Sequence, residues 1–296
     1  MSTGEAQATV LPIGEDLRRR RRAGRLHRRT IPVYVALLVV ATVVLCAVAA
    51  PLLAPHDPAE QDLFFQFGPP SKDHLLGTDD LGRDVLSRLI YGSRIAAQVG
   101  LISVGIAILL GVPIGLAAGY TGRWVDTLLM RVMDALLAFP PILLAMAVIA
   151  GLGPGIRNAM IAIGIVFMPT YARLARGSAL VIKEMDYALA ARALGAGPTR
   201  VVLRHIVPNS LAPILVQASL GIGIAVIAEA SLAYLGLGSQ PPNPSWGIML
   251  RQASSFLEEH WFASIPPGAA IFVLVLSVNM IGDHVRDVFD PRLRGR

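Results

Sequence analysis

The chain has 296 residues, of which 54% are hydrophobic and only 16% charged, and its mean hydropathy is +0.60. Soluble domains run near a quarter charged, so this composition excludes an ordinary soluble enzyme and points to an integral membrane protein. A net charge of +6 could suit nucleic acid, but its one-sided distribution, described below, argues for a membrane and against nucleic acid.

Residues 1–30 form a basic tail containing Arg18 to Arg22, Arg25, Arg28 and Arg29. It is expected to be disordered and cytoplasmic, with a weak pull toward anionic lipid. The apolar run that follows ends near Ala47-Val48-Ala49, which resembles a signal-peptide cleavage site. It is about twice as long as a usual signal core, which favours a retained signal-anchor helix. Cys46, the single cysteine, lies in this run and excludes an internal disulfide. Lipid attachment would want a small residue before it, and Leu45 stands there.

Residues 31–94 therefore comprise a first transmembrane helix, to about residue 54, and an extracytoplasmic segment. Within the latter, residues 77–94 read as an amphipathic helix on the membrane surface, with Leu81, Val85 and Leu89 on one side and Arg83, Asp84 and Arg88 on the other. Residues 95–283 supply five more spans. The second runs from Ile95 to about Tyr120, and 121–131 is a short inside link. The third runs from Ala135 to the turn at 151–155. The fourth, Asn158–Ala172, is short and spans only if Arg157 and Arg173 snorkel to the two surfaces. The fifth starts after Pro208-Asn209-Ser210 and ends near Leu237. The sixth ends near Gly282, and 284–296 form a cytoplasmic tail. The runs lack strict alternation and are rich in Gly and Ala, as in helices rather than barrel strands. The fold class is all-α integral membrane, with six transmembrane helices and both termini cytoplasmic. In this topology only Lys72, Arg83, Arg88, Arg94, Arg157 and Arg251 of the 26 Lys and Arg lie outside, in keeping with the positive-inside rule.

The motifs of ATP hydrolysis and hydrolytic catalysis are missing. The lysines, Lys72 and Lys183, follow Ser71 and Ile182, so there is no Gly-Lys-Ser/Thr loop to cradle phosphates. No Gly-x-Ser-x-Gly or His-Glu-x-x-His occurs. The 6 histidines, His27, His56, His74, His205, His260 and His284, are scattered, and none pairs with another at metal-ligand spacing. The chain is expected to have no enzymatic activity, cofactor or metal of its own. Ionisable groups in the spans are sparse: Asp134, expected to pair with Arg131, and Glu229, expected to cap a helix or hydrogen-bond between helices. An ion-coupled carrier and a non-transporting scaffold are the alternatives to a driven pathway.

One polar insert stands out: EMDYALAARALGAGPTRVVLRHIVPNS, residues 184–210. Tyr187, Ala190, Ala191 and Leu194 share a helical face. Gly195 suits a helix C-terminal cap, Gly197-Pro198 suits a restart, and Pro208 is expected to break the second helix before Asn209 or Ser210 caps the next. Glu184, Asp186, Arg192 and His205 supply its polar groups. A helix–turn–helix with a narrow Ala/Gly ridge can enter a cleft on another protein.

The insert resembles the EAA loop of ABC importer membrane subunits, which reads Glu-Ala-Ala, three residues, Gly, nine residues, Ile-x-Leu-Pro. Ala190-Ala191, Gly195 and Pro208 match; Leu189, His205 and Val207 depart from it. Residues 74–94, 119–140, 229–250 and 282–296 are similar to the dipeptide/oligopeptide/nickel permease family, and Asp290 to Leu293 match the ending of its C-type subunit. The resemblance implies a type I ABC importer permease fold and a bacterial inner-membrane location. It implies a homologous B-type permease as partner, with two ATPases that use ATP and Mg below and an extracytoplasmic solute-binding protein above. The loop would be the coupling helix. The implied cargo is peptide, with nickel or another small solute as the alternative.

Overall fold

The computed structural model describes residues 13–289, with side chains described over 31–288. Helix α1 (Ile13–Leu53) is followed by an irregular segment, then by α2 (Val85–Thr121), α3 (Arg123–Leu137), α4 (Pro141–Leu152) and α5 (Ile156–Ile182). The insert gives α6 (Asp186–Ala193) and α7 (Pro198–Val201). A π-turn at Val202–Ile206 leads into α8 (Val207–Tyr234), and α9 (Trp246–Ser254), α10 (Leu257–His260) and α11 (Ile265–Phe289) complete the chain. Among the described residues there is no strand, only an isolated bridge between Thr78 and Asp84. Among the described residues, five helical stretches are long and apolar enough to cross a membrane, and a bent pair, taken as one span, brings the number to six.

α2 and α5 form the axis of the bundle, with α8 against both and α1 and α11 completing it. Gly111, Gly115 and Gly119 recur every four residues along α2. A Cβ at Gly111 would strike the Met168 carbonyl, one at Gly115 the Ala172 carbonyl, and one at Gly119 would lie 2.7 Å from the Arg176 carbonyl. Small residues at this spacing let two backbones approach closely, which drives helix association where lipid removes the hydrophobic incentive. Ala172, Ala175 and Ala179 complete the seam from α5 and are fully buried. The outward faces remain apolar, as with Leu38, Leu52, Leu101 and Leu109, a pattern suited to lipid and costly in water.

Several expectations need correction. The chain over 13–30, expected as a disordered tail, is helical and continuous with the first span, while residues 1–12 lie outside the described residues. The expected surface helix over 77–94 is not a separate element. Residues 77–84 form a tight turn, in which the Asp79 carboxylate accepts from the Leu81 and Arg83 N–H groups, both at 3.0 Å. Asp84 then caps α2, accepting the Ser87 N–H at 2.7 Å. Nothing between Val85 and Ile95 breaks a helix, so the first turns run straight into the second span. The resulting 37 residues reach about 55 Å at helical rise, beyond a ~30 Å hydrocarbon core.

The expected inside link at 121–131 is no loop: Thr121 ends α2, Gly122 is the break, and 123–131 belong to α3, while the third span is broken. α3 and α4 meet at 95°, where Pro140 and Pro141 forbid a continuous helix and push the preceding residue out of helical conformation. α4 has 12 residues, about 18 Å of helix, too short to cross alone. The fourth span is longer than its apolar run, 27 residues, because Arg173 and Arg176 stay in the helix and find acidic partners on α3.

Candidate functional site

The insert folds as two short helices around a glycine turn. α6 ends in a Schellman arrangement: the Gly195 N–H reaches the Arg192 carbonyl at 2.9 Å and the Ala196 N–H reaches the Ala191 carbonyl at 3.0 Å. Gly195 takes φ of +85°, the left-handed conformation that this cap requires and that glycine adopts without steric cost. A Cβ there would meet open space, so the demand is conformational and the turn projects freely. Gly197 is the N-cap of α7 and Pro198 its first residue, as the sequence predicts.

Pro208 does not end the helix. It sits in the first turn of α8, and the chain from Pro198 to Tyr234 is one apolar helical stretch. The π-turn at Val202–Ile206 provides the reason. Proline has no N–H and its ring crowds the carbonyl four residues back, and a wider turn accommodates both. Asn209 and Ser210, expected as caps, bond backward instead: Asn209 Nδ2 donates to the His205 carbonyl at 2.6 Å and Ser210 Oγ to the Ile206 carbonyl at 2.8 Å. Such back-bonding to the carbonyl four residues earlier is the usual behaviour of short polar side chains inside a helix.

The loop has an anchored side and a free side. Ala188, Val201 and Ile206 are fully buried, the last two in a cluster with Leu116, Ala175, Ala179 and Ile182 at the ends of α2 and α5. Tyr187, Leu189, Ala190 and Leu194 face outward, Leu194 being 89% exposed. Tyr187 stands beside His205, with ring centroids 6.1 Å apart. Glu184, Asp186, Arg192 and Pro208 are exposed, and Ala191 is half-buried. Arg192 donates to the Lys183 carbonyl at the end of α5, and Lys183 Nζ donates to the Gly119 carbonyl near the end of α2 at 2.9 Å. The loop is thus tied to the two axial helices by packing and by a chain of polar contacts.

Acid–base pairs brace the same end. Arg176 forks onto Asp126 at 2.5 and 2.7 Å. Asp134 pairs with Arg173 at 2.7 Å, not with the expected Arg131. Arg131 is close in sequence, but the packing of α3 on α5 turns Asp134 toward the neighbouring helix. Asp126, Arg173, Arg176 and Lys183 were not candidate site residues by sequence. Their only signal is that charges flank or interrupt apolar runs where lipid would otherwise exclude them. Glu229, near the other end of α8, is buried, with the Ser245 side chain as hydrogen-bonding neighbour and Oε1 without a partner.

The opposite end of the bundle is organised around Arg88. Fully buried, it donates to the Gln252 side chain at 3.1 Å and the Pro58 carbonyl at 3.3 Å, and its Nε lies 3.2 Å from Asp79. Trp246 of α9 fills the space above Gly92 and donates to the Leu89 carbonyl at 2.9 Å. The segments before α2 and after α8, far apart in sequence, form one surface there.

Residues 111–295 match the family of binding-protein-dependent transport system inner membrane components, and residues 28–70 match the N-terminal transmembrane domain of oligopeptide transport permease C. The chain is 45% identical to a dipeptide transport system permease protein of Alkalihalophilus pseudofirmus, over 88% of this chain and 86% of that one. It is 45% identical to a di/tripeptide transport system permease protein of Pseudomonas aeruginosa, over 87% of each. A glutathione transport system permease protein of Pectobacterium atrosepticum is 41% identical over 98% of each. Among solved structures, the inward-facing methionine ABC transporter is similar in fold, with a TM-score of 0.56 and 18% identity over 69% of this chain and 97% of that one.

Proposed function

The chain belongs to the family of binding-protein-dependent transport system inner membrane components, and on that premise we propose that it is the C-type permease subunit of an ATP-driven peptide importer in a bacterial inner membrane. Peptide is the cargo named for its relatives, among them dipeptide and di/tripeptide permeases. A homologous B-type permease completes the pathway. Two ATPase subunits, which use ATP and Mg2+, dock beneath. A solute-binding protein delivers peptide to the surface built from 55–94 and 238–262.

The observation that carries this reading is the two-sidedness of the 184–210 loop. Its outer ridge of Leu189, Ala190 and Leu194 is free to enter a cleft. Its inner side is packed on, and hydrogen-bonded to, the ends of α2 and α5. A partner that moves the ridge moves the axial helices with it. ATP and the binding protein can then bias the bundle between two states, provided each binds one state better than the other.

Gly195→Glu tests it. The change adds about 1–2 kcal/mol of left-handed strain and places a bulky acid on the ridge, with no neighbour to strike. Membrane levels should stay near wild type while uptake of labelled dipeptide by cells falls to background. Gly195→Ala carries the same strain without the bulk and should retain much of the uptake. Wild-type uptake by Gly195→Glu would remove the loop from the coupling path.

A further inference from the structure

The fold assembles a cluster that the scattered histidines of the sequence conceal. His56 follows α1, His74 precedes the 77–84 turn, and Asp84 caps α2. One potential metal-ligating atom from each lies within 4.8 Å of the others. His74 Nδ1 is 3.0 Å from Asp84 Oδ1, His56 Nδ1 is 3.8 Å from Asp84 Oδ2, and the two rings are 4.7 Å apart. Tetrahedral zinc with bonds near 2.0–2.1 Å sets its ligands about 3.4 Å apart, between the two measured separations.

Helix capping explains part of this cluster and leaves part unexplained. Asp84 must be where it is to accept the Ser87 N–H, and His74 hydrogen-bonds its other oxygen. The His56 ring has no such task. Its backbone N–H is fixed by Ser87 Oγ at 3.0 Å, which holds the residue beside the carboxylate. Its Nδ1 is nevertheless buried without a hydrogen-bond partner among the described residues, a costly arrangement for a polar atom. Asp57, Glu60 and Asp62 join the three residues around a cavity of about 130 Å³. Concentrated negative charge in a cleft draws cations.

We propose that His56, His74 and Asp84 bind one borderline divalent transition cation, Zn2+ in the first instance. Two imidazole nitrogens select against Mg2+ and Ca2+, which prefer all-oxygen sites. Three protein ligands leave a fourth position for water or a carboxylate of the same cavity. The ion would staple the end of α1 to the start of α2 through the intervening loop. This site stands on the chain's own geometry and does not depend on the transported solute.

The test uses the full-length chain, tagged without histidines and purified with whatever subunits remain bound. After chelator treatment, Zn2+ alone is titrated against a zinc-sensitive dye, and melting is followed with and without the ion. The wild type should take up about one Zn2+ per chain at this site and melt at a higher temperature with it, while Mg2+ has no effect. His56→Gln should melt like the zinc-free wild type, lose roughly tenfold or more in affinity and gain nothing on zinc addition. Asp84→Asn, which keeps an acceptor for the Ser87 N–H, should behave likewise. Zinc affinity and zinc-dependent melting unchanged in His56→Gln, or a wild type that binds no zinc, would overturn the proposal.

Discussion

At the scale of single residues, Arg94 illustrates how a membrane helix tolerates a proline. Pro51 lies inside α1 and cannot donate to the Ala47 carbonyl four residues back, and the helix is kinked at Ala49. Arg94, from α2, supplies the missing donor: its Nε reaches the Ala47 oxygen at 2.6 Å, and a second nitrogen reaches the Val48 oxygen at 3.4 Å. The carbonyl is only part-buried, so removing its charged donor should cost about 1 kcal/mol, toward the low end for an unsatisfied group. Arg94→Leu should therefore lower the melting temperature of the purified chain. In a Pro51→Ala background the new amide N–H can serve Ala47, and the same substitution should cost less. Equal losses in both backgrounds would mean that Arg94 acts through something other than this carbonyl.

At the scale of elements, the α2–α5 seam sets how far the bundle tolerates side chains. Gly115→Leu drives a Cβ into the Ala172 backbone, where nothing flexible can yield. It should cost several kcal/mol and sharply reduce the folded chain recovered from membranes. Gly105→Leu, on the same helix with nothing within 4 Å of its Cβ, should be recovered like wild type. Equal recovery of the two variants would contradict the seam.

Sequence legibility also divides at this scale. The long apolar runs and the Gly195–Gly197–Pro198 turn were readable because composition and backbone demand are local. The π-turn before Pro208 was not. Proline signals a disturbed ladder, and whether the ladder stops or widens depends on what packs around it. The break at Pro140 was missed because hydropathy continues across it. The Asp134–Arg173 pair and the His56–His74–Asp84 cluster join residues whose proximity exists only after folding.

At the scale of the whole molecule, the two ends differ in build. The end that carries the 184–210 loop has ion pairs bracing α3 on α5, and a loop anchored on one side and free on the other. The other end is knitted by Arg88 and Trp246 from segments on both sides of the core. The positive-inside bias of the sequence leads to the expectation that the end carrying the 184–210 loop faces the cytoplasm. A driven importer needs such a difference, because its motor and its delivery protein approach from opposite faces. The decisive measurement is site-specific photocrosslinking in native membranes, from a photoreactive residue at Leu194 and, as control, at Phe64, which is 97% exposed on the outer segment. Position 194 should yield an adduct with a P-loop ATPase, and position 64 should not. No ATPase adduct from 194, or equal adducts from both positions, would contradict the coupling role given to the loop.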